Sequence, residues 1–131
     1  MKSITLAALA AAGILGVSIP AAAASGGFGM LRSVDKGLWQ VKYRESGKSE
    51  KLCVKSGLEL LQVGNPPKGC RRFVVQDASG AVDVQLTCPG QGYARTLMRR
   101  ETPSLLQVEA QGIRNGMPYA MRGEARRTGS C

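Results

Sequence analysis

Hydrophobic and polar residues alternate along most of this chain with the two-residue period of half-buried β-strands. From Leu38 onward, Trp39, Val41 and Tyr43 take one face and Leu38, Gln40, Lys42 and Arg44 the other, which predicts a first strand. Ser46-Gly47-Lys48-Ser49 reads as a turn and Lys51-Leu52-Cys53-Val54 as a short return strand. Further strands are predicted at Arg71–Gln76, Val82–Thr87, Tyr93–Arg100, Leu105–Ile113 and Tyr119–Arg127. Turn residues separate them at Asp77–Gly80, Pro89–Gly92, Thr102–Ser104 and Asn115-Gly116. One helix interrupts the pattern. Ser56-Gly57-Leu58-Glu59 has the spacing of a capping box, with Leu58 and Leu61, joined by Leu60 and Val63, as an apolar stripe. Gly64 and Pro66-Pro67 close it after two turns.

Asn115-Gly116 is the strongest hairpin signal, because both residues accept the positive φ of a type I′ turn. A two-residue loop there pairs Arg114 with Met117, Gly112 with Tyr119, Ala110 with Met121, Val108 with Gly123 and Leu106 with Ala125. That face is apolar or small. The other face pairs Glu109 with Arg122 and Gln107 with Glu124. A one-residue slip destroys this sorting. The expected fold is mainly β with a minor α part: an antiparallel β-meander, curved sheet or half-barrel. Its one dry face would be partly covered by the short helix and the N-terminal hairpin.

The N-terminus has a different character. Met1-Lys2-Ser3, an apolar run from Ile4 to Ile19, Pro20 and four alanines form the three-part pattern of a secretory signal peptide. The run is shorter than the ~20 residues of a membrane span. The expected organisation is a leader over 1–24, a flexible lead-in over 25–35 and one domain over 36–131. The style of leader is bacterial, so the expected location is the periplasm or the medium. No cysteine follows the leader, so a lipid anchor is not expected.

Export changes how the four cysteines are read. In an oxidising compartment Cys53, Cys70, Cys88 and Cys131 are expected to form two disulfides. Strand ends alternate in a meander, which puts Cys70 near Cys88 and leaves Cys131 several residues of strand away from them. A bridge needs Cα atoms within about 7 Å, so Cys70–Cys88 and Cys53–Cys131 are preferred. The Asp77–Gly80 turn leaves two registers open. A three-residue loop sets Cys70 opposite Cys88, whereas pairing Val75 with Val84 and Phe73 with Leu86 sorts the apolar residues better but points the cysteines apart.

The residues just placed also carry a resemblance. Gly37-Leu38-Trp39-Gln40-Val41, Cys53-Val54, the inner pair Cys70 and Cys88, and the ending Ala125-Arg126-Arg127-Thr128-Gly129-Ser130-Cys131 resemble the small exported bacterial proteins grouped as domain of unknown function 3617. The resemblance covers most of 36–131. Where that family often has a Thr-Pro-Glu-like helix start, this chain has Lys55-Ser56-Gly57-Leu58-Glu59. The resemblance implies an exported, disulfide-containing domain and implies no activity.

Chemistry is restricted by what is missing. The chain has no histidine, which removes the commonest general base and most zinc sites. It has no Cys-x-x-Cys and no nucleotide loop with strand–helix context. Glu45, Glu50, Asp77, Asp83, Glu101 and Glu124 fall at turns or on polar faces, where solvated acids are the norm. The chain is therefore expected to be no enzyme and to carry no cofactor or metal. The formal net charge of +9 favours anionic partners, which in the envelope means phosphate-bearing or acidic surface components, with no nucleic acid. A monomer is expected.

Three arginine pairs stand out: Arg71-Arg72, Arg99-Arg100 and Arg126-Arg127. Arg122, Arg126, Arg99 and Arg100 are the candidate anion-binding set, weighed against solvated arginines partly paired to Glu109 and Glu124. Trp39 is expected in the core. The leading functional expectation is a non-enzymatic binding or interaction domain. The alternatives are a small-ligand-binding half-barrel lined by Tyr119, Met121, Leu106 and Val108, and a hydrolase-inhibitor-like module with a rigid loop near Cys70 or Pro89.

Overall fold

A computed structural model describes residues 27–64, 66 and 68–131. The leader and residues 25–26 lie outside the described residues. Seven strands follow in chain order, β1 (Gly37–Tyr43), β2 (Ser49–Val54), β3 (Arg71–Asp77), β4 (Ala81–Cys88), β5 (Gly92–Thr102), β6 (Leu105–Arg114) and β7 (Met117–Gly129). They form one unclosed antiparallel sheet in the order β2-β1-β7-β6-β5-β4-β3. The β6–β7 register is the expected one throughout, from Arg114 opposite Met117 to Leu106 opposite Ala125, with Glu109 opposite Arg122.

The N-terminal hairpin departs from expectation. It does not lie over the dry face but lengthens the sheet, with β1 running antiparallel to β7 from Leu38 opposite Gly129 to Tyr43 opposite Gly123. The reason is steric. β7 is long enough to accept β6 on one side and β1 on the other, and a Cβ at Gly123 would stand 2.9 Å from the Lys42 carbonyl oxygen. The dry face is covered by the segment expected to be a loose lead-in. Helix α1 (Gly29–Arg32) and its flanks bury Phe28, Met30, Leu31 and Val34 in the core. The flexible lead-in over 25–35 is thus corrected for Phe28–Val34: four apolar side chains in seven residues gain more by burial than the glycines around them lose in chain entropy.

The predicted α-helix is instead a 3-10 helix, Leu58–Gln62. Six residues between the left-handed Gly57 and Gly64 leave no room for a second α-turn, and a Cβ on Gly57 (φ +100°) would strike the Leu31 carbonyl oxygen at 1.8 Å. The capping chemistry is nevertheless present. Ser56 Oγ accepts the Leu58 N–H at 3.1 Å, and the Glu59 carboxylate accepts the N–H groups of Ser56 and Gly57 at 3.1 and 2.9 Å. Partial burial works to raise the Glu59 pKa, but these backbone bonds and the Ser56 hydroxyl together hold it below its ordinary value. Leu60 and Val63 reach the core, and Leu58 and Leu61 pack against it. Trp39 is fully buried as expected, its Nε1 donating to the Asp35 carbonyl at 2.8 Å.

Both disulfides are the preferred ones. Cys53–Cys131 has its Cα atoms 5.7 Å apart and Cys70–Cys88 4.2 Å apart. The two candidate registers of the β3–β4 hairpin are both used. Arg71 opposite Thr87 through Val74 opposite Val84 follows the one that joins the cysteines; Gln76 opposite Asp83 and Asp77 opposite Val82 follow the other. A bulge at Val75 absorbs the one-residue difference.

Two stability measurements check this architecture. Leu31→Ala, at a site with no exposure, is expected to cost about 2–5 kcal/mol in denaturant unfolding, where a loose lead-in would show almost none. Cys53–Cys131 closes a loop of 78 residues and Cys70–Cys88 one of 18, so Cys53→Ser with Cys131→Ser is expected to cost about 1 kcal/mol more than Cys70→Ser with Cys88→Ser.

Candidate functional site

Alternation along the strands sends Asp83 of β4, Arg95, Leu97 and Arg99 of β5, Gln107 and Glu109 of β6, and Arg122, Glu124 and Arg126 of β7 to the face away from the core. The face is laced with ion pairs. Arg95 grips Asp83 with Nε at 3.0 and 3.1 Å and Nη2 at 2.6 Å. Asp83 is only 6% exposed, so this fork ties β4 to β5 and satisfies a buried carboxylate. The bond raises the Arg95 pKa further. Between Asp83, Arg95, Leu97, Glu109, Arg122 and Glu45 lies an open groove of about 530 Å³.

The candidate anion-binding arginines are brought onto this sheet but each is already engaged. Arg99 pairs with Glu109 at 2.7 Å, Arg126 with Glu124 at 2.8 Å and Arg122 with Glu45 at 2.9 Å. Arg100 faces the opposite way and donates to Ser33 Oγ at 2.6 Å. It borders a depression of about 900 Å³ beside Gly27. The expected register of Glu109 and Arg122 is present, but the pair itself is not. Glu45, in the β1–β2 turn, takes both the backbone N–H and the guanidinium of Arg122, and Glu109 turns to Arg99. The bond to Arg126 likewise holds the Glu124 pKa below its ordinary value.

On the dry face, Met121 borders an open groove of about 510 Å³ with Tyr43, Glu50 and Arg114. Leu106 and Val108 are buried in the core. Tyr119 and Met121 line a cavity of about 10 Å³, about one water in size, and Arg114 sits over the Tyr119 ring at 4.9 Å. Nearby, burial and then the 2.6 Å bond to Glu50 push the Tyr43 phenol well above its ordinary pKa. Among the described residues, no three His, Cys, Asp or Glu side chains cluster as metal ligands.

The surface left open is the edge strand β3. Every one of its residues is exposed, with Phe73 at 49% and Val74 and Val75 at 52%. Arg71 and Arg72 are unusual in a second way. Every other described arginine donates a side-chain N–H to a carboxylate, carbonyl, amide or hydroxyl oxygen. Arg71 and Arg72 instead rest against rings, Arg71 5.9 Å from Phe73 and Arg72 5.3 Å from Phe28. Sequence reasoning noted this pair but passed over it in favour of the other two. The signal was the run Phe73-Val74-Val75, apolar on both faces in a strand with a core on only one side.

No protein-family model and no curated protein matches this chain. Two disulfides fit an extracytoplasmic, oxidising compartment. No described helix is long and apolar enough to cross a membrane.

Glu45 gives the face a pH signature. The Arg122 backbone N–H, followed by the Arg122 guanidinium, draws its pKa from an ordinary 4.5 to about 2. A carboxyl lowered in this way stabilises the fold above its unfolded pKa and loses that contribution as pH falls through the folded value. Glu45→Gln is therefore expected to be slightly less stable than the wild type near neutrality. The two should converge as pH falls from about 4.5 to about 2, as followed by denaturant unfolding across that window.

Proposed function

We propose that this chain is an exported, non-enzymatic binding domain of the bacterial envelope, working in the periplasm or medium as a monomer with an anionic partner. The observation that carries this reading is the β3 edge, where two guanidinium groups with no hydrogen-bond acceptor among the described residues lie beside three exposed apolar side chains. Unpaired arginine forks next to apolar surface are the composition of an interface rather than of ordinary solvated surface. The leader pattern, the disulfides and the resemblance to exported domains of the 3617 group support the location. A ligand-carrying half-barrel is disfavoured because two of its expected lining residues, Leu106 and Val108, are fully buried in the core.

One observation favours the inhibitor-like reading as the second choice. The exposed Pro89–Gln91 loop is stiff: Gln91 N–H donates to the Cys88 carbonyl and Asn115 N–H to the Gln91 carbonyl, both at 3.0 Å, beside the Cys70–Cys88 bridge.

Site-specific photo-crosslinking in the producing cells separates the two. A photoreactive residue at Phe73 is expected to form a discrete adduct that is lost with Arg71→Glu and Arg72→Glu. A probe at Gln40, on the outer face of β1, should form none. An adduct from Pro89 alone supports the inhibitor-like reading instead, and no adduct from any position defeats both.

A further inference from the structure

We propose that β3 takes up an extended acidic polypeptide segment as an additional antiparallel strand, with two consecutive carboxylate residues opposite Arg71 and Arg72. The proposal rests on the binding-domain reading and names the chemistry of its partner. β3 ends the sheet, with β4 as its one neighbouring strand. Half of the main-chain donors and acceptors of an edge strand point away from the sheet, and an extended segment satisfies them by strand addition.

The side chains specify what kind of segment fits. Arg71 lies opposite Thr87 and Arg72 opposite Leu86, so the two guanidinium groups project on opposite faces, as do Phe73 and Val74 after them. Residues opposite one another across two strands share a face. Two adjacent acids in a docked strand would therefore each meet one arginine, and two adjacent apolar residues would cover Phe73 and Val74. The bulge at Val75 limits the regular stretch to Arg71–Val74, which makes the fitting motif apolar-apolar-acid-acid in the antiparallel direction.

The edge is also held ready. Cys70–Cys88 pins one end. At the other, Ala78 N–H donates to the Ala81 carbonyl at 2.9 Å, and Asp77 accepts the Phe28 N–H at 2.7 Å. Ring contacts already orient the arginines, so less side-chain freedom is lost on binding. A second copy of the chain is a poor occupant. Antiparallel pairing of the Arg71–Val74 stretch with itself sets Arg71 opposite Val74 and Arg72 opposite Phe73, which gives the four guanidinium groups no carboxylate, between molecules that each carry +9 over the full sequence. An anionic lipid surface offers charge but no strand of donors and acceptors.

The test is an amide-detected NMR titration with the synthetic peptide acetyl-Thr-Val-Val-Glu-Glu-Ser-amide. Shifts are expected to concentrate in β3 and its pairing partners. Arg71→Glu with Arg72→Glu should weaken binding about tenfold, and replacing the peptide's Glu-Glu by Lys-Lys should restore it to that variant. Two analogues N-methylated on alternate residues, in opposite phase, probe the main chain. Loss with one phase and retention with the other supports strand addition, whereas loss with both or with neither overturns it. So does equal binding of the Lys-Lys peptide to the wild type, absence of binding, or arginine-dependent binding to phosphatidylglycerol vesicles without binding of the peptide. If the Phe73 adduct forms and the peptide fails, only strand addition falls. If no adduct forms, the binding-domain reading falls whatever the peptide does.

Discussion

The pairing of β1 with β7 is the constraint on which the rest of the molecule depends. It puts Trp39 and Val41 on the core face beside Ala125. Leu38 lies opposite Gly129 on one side and Cys53 on the other, so one residue of β1 brings Cys53 within bonding reach of Cys131. The same pairing carries the β1–β2 turn to the outer face, where Glu45 reaches Arg122. The alignment needs Gly123, where a side chain would push against the Lys42 backbone.

The sheet treats its two faces and its two edges differently. On the inner face, α1 and the 3-10 helix close over a filled core. On the outer face, acids and bases are matched strand by strand, so the basic charge there is largely spent internally. The β2 edge is secured by Cys53–Cys131 and backed by the 3-10 helix. The β3 edge has the bulge and the two arginines that natural sheets use against unwanted pairing. The partner of opposite charge proposed for this edge would meet both arginines, and one of the same charge would be repelled.

The strands were legible because alternation is a local signal. The β6–β7 register was legible because Asn115 (φ +51°) and Gly116 (φ +76°) fix the turn and a slip would mix the faces. The β3–β4 register was only half legible, since a bulge satisfies two patterns that look exclusive in a regular hairpin. Three of the misread features depend on distant partners. Gly-rich flanks concealed that Met30 and Leu31 are core residues. Nothing local to Trp39–Tyr43 says that β1 adds to β7. Arg122 met Glu45 because the β1–β2 turn folds over β7, and register alone pointed to Glu109. The unpaired state of Arg71 and Arg72 became visible only once every other guanidinium had found its acceptor.

The closure of β1 on β7 also sets an order of events. β1 is synthesised early, and the β1–β2 hairpin alone is marginal, since two strands without further packing rarely persist. Its second side is completed only when β7 exists, with most of the domain looped between them. Such long-range closure is slow to form. Until it forms, the core lacks one wall and neither face of β1 is settled. The folded state is thus withheld until synthesis has reached the far strand, a delay that fits the export proposed for this chain.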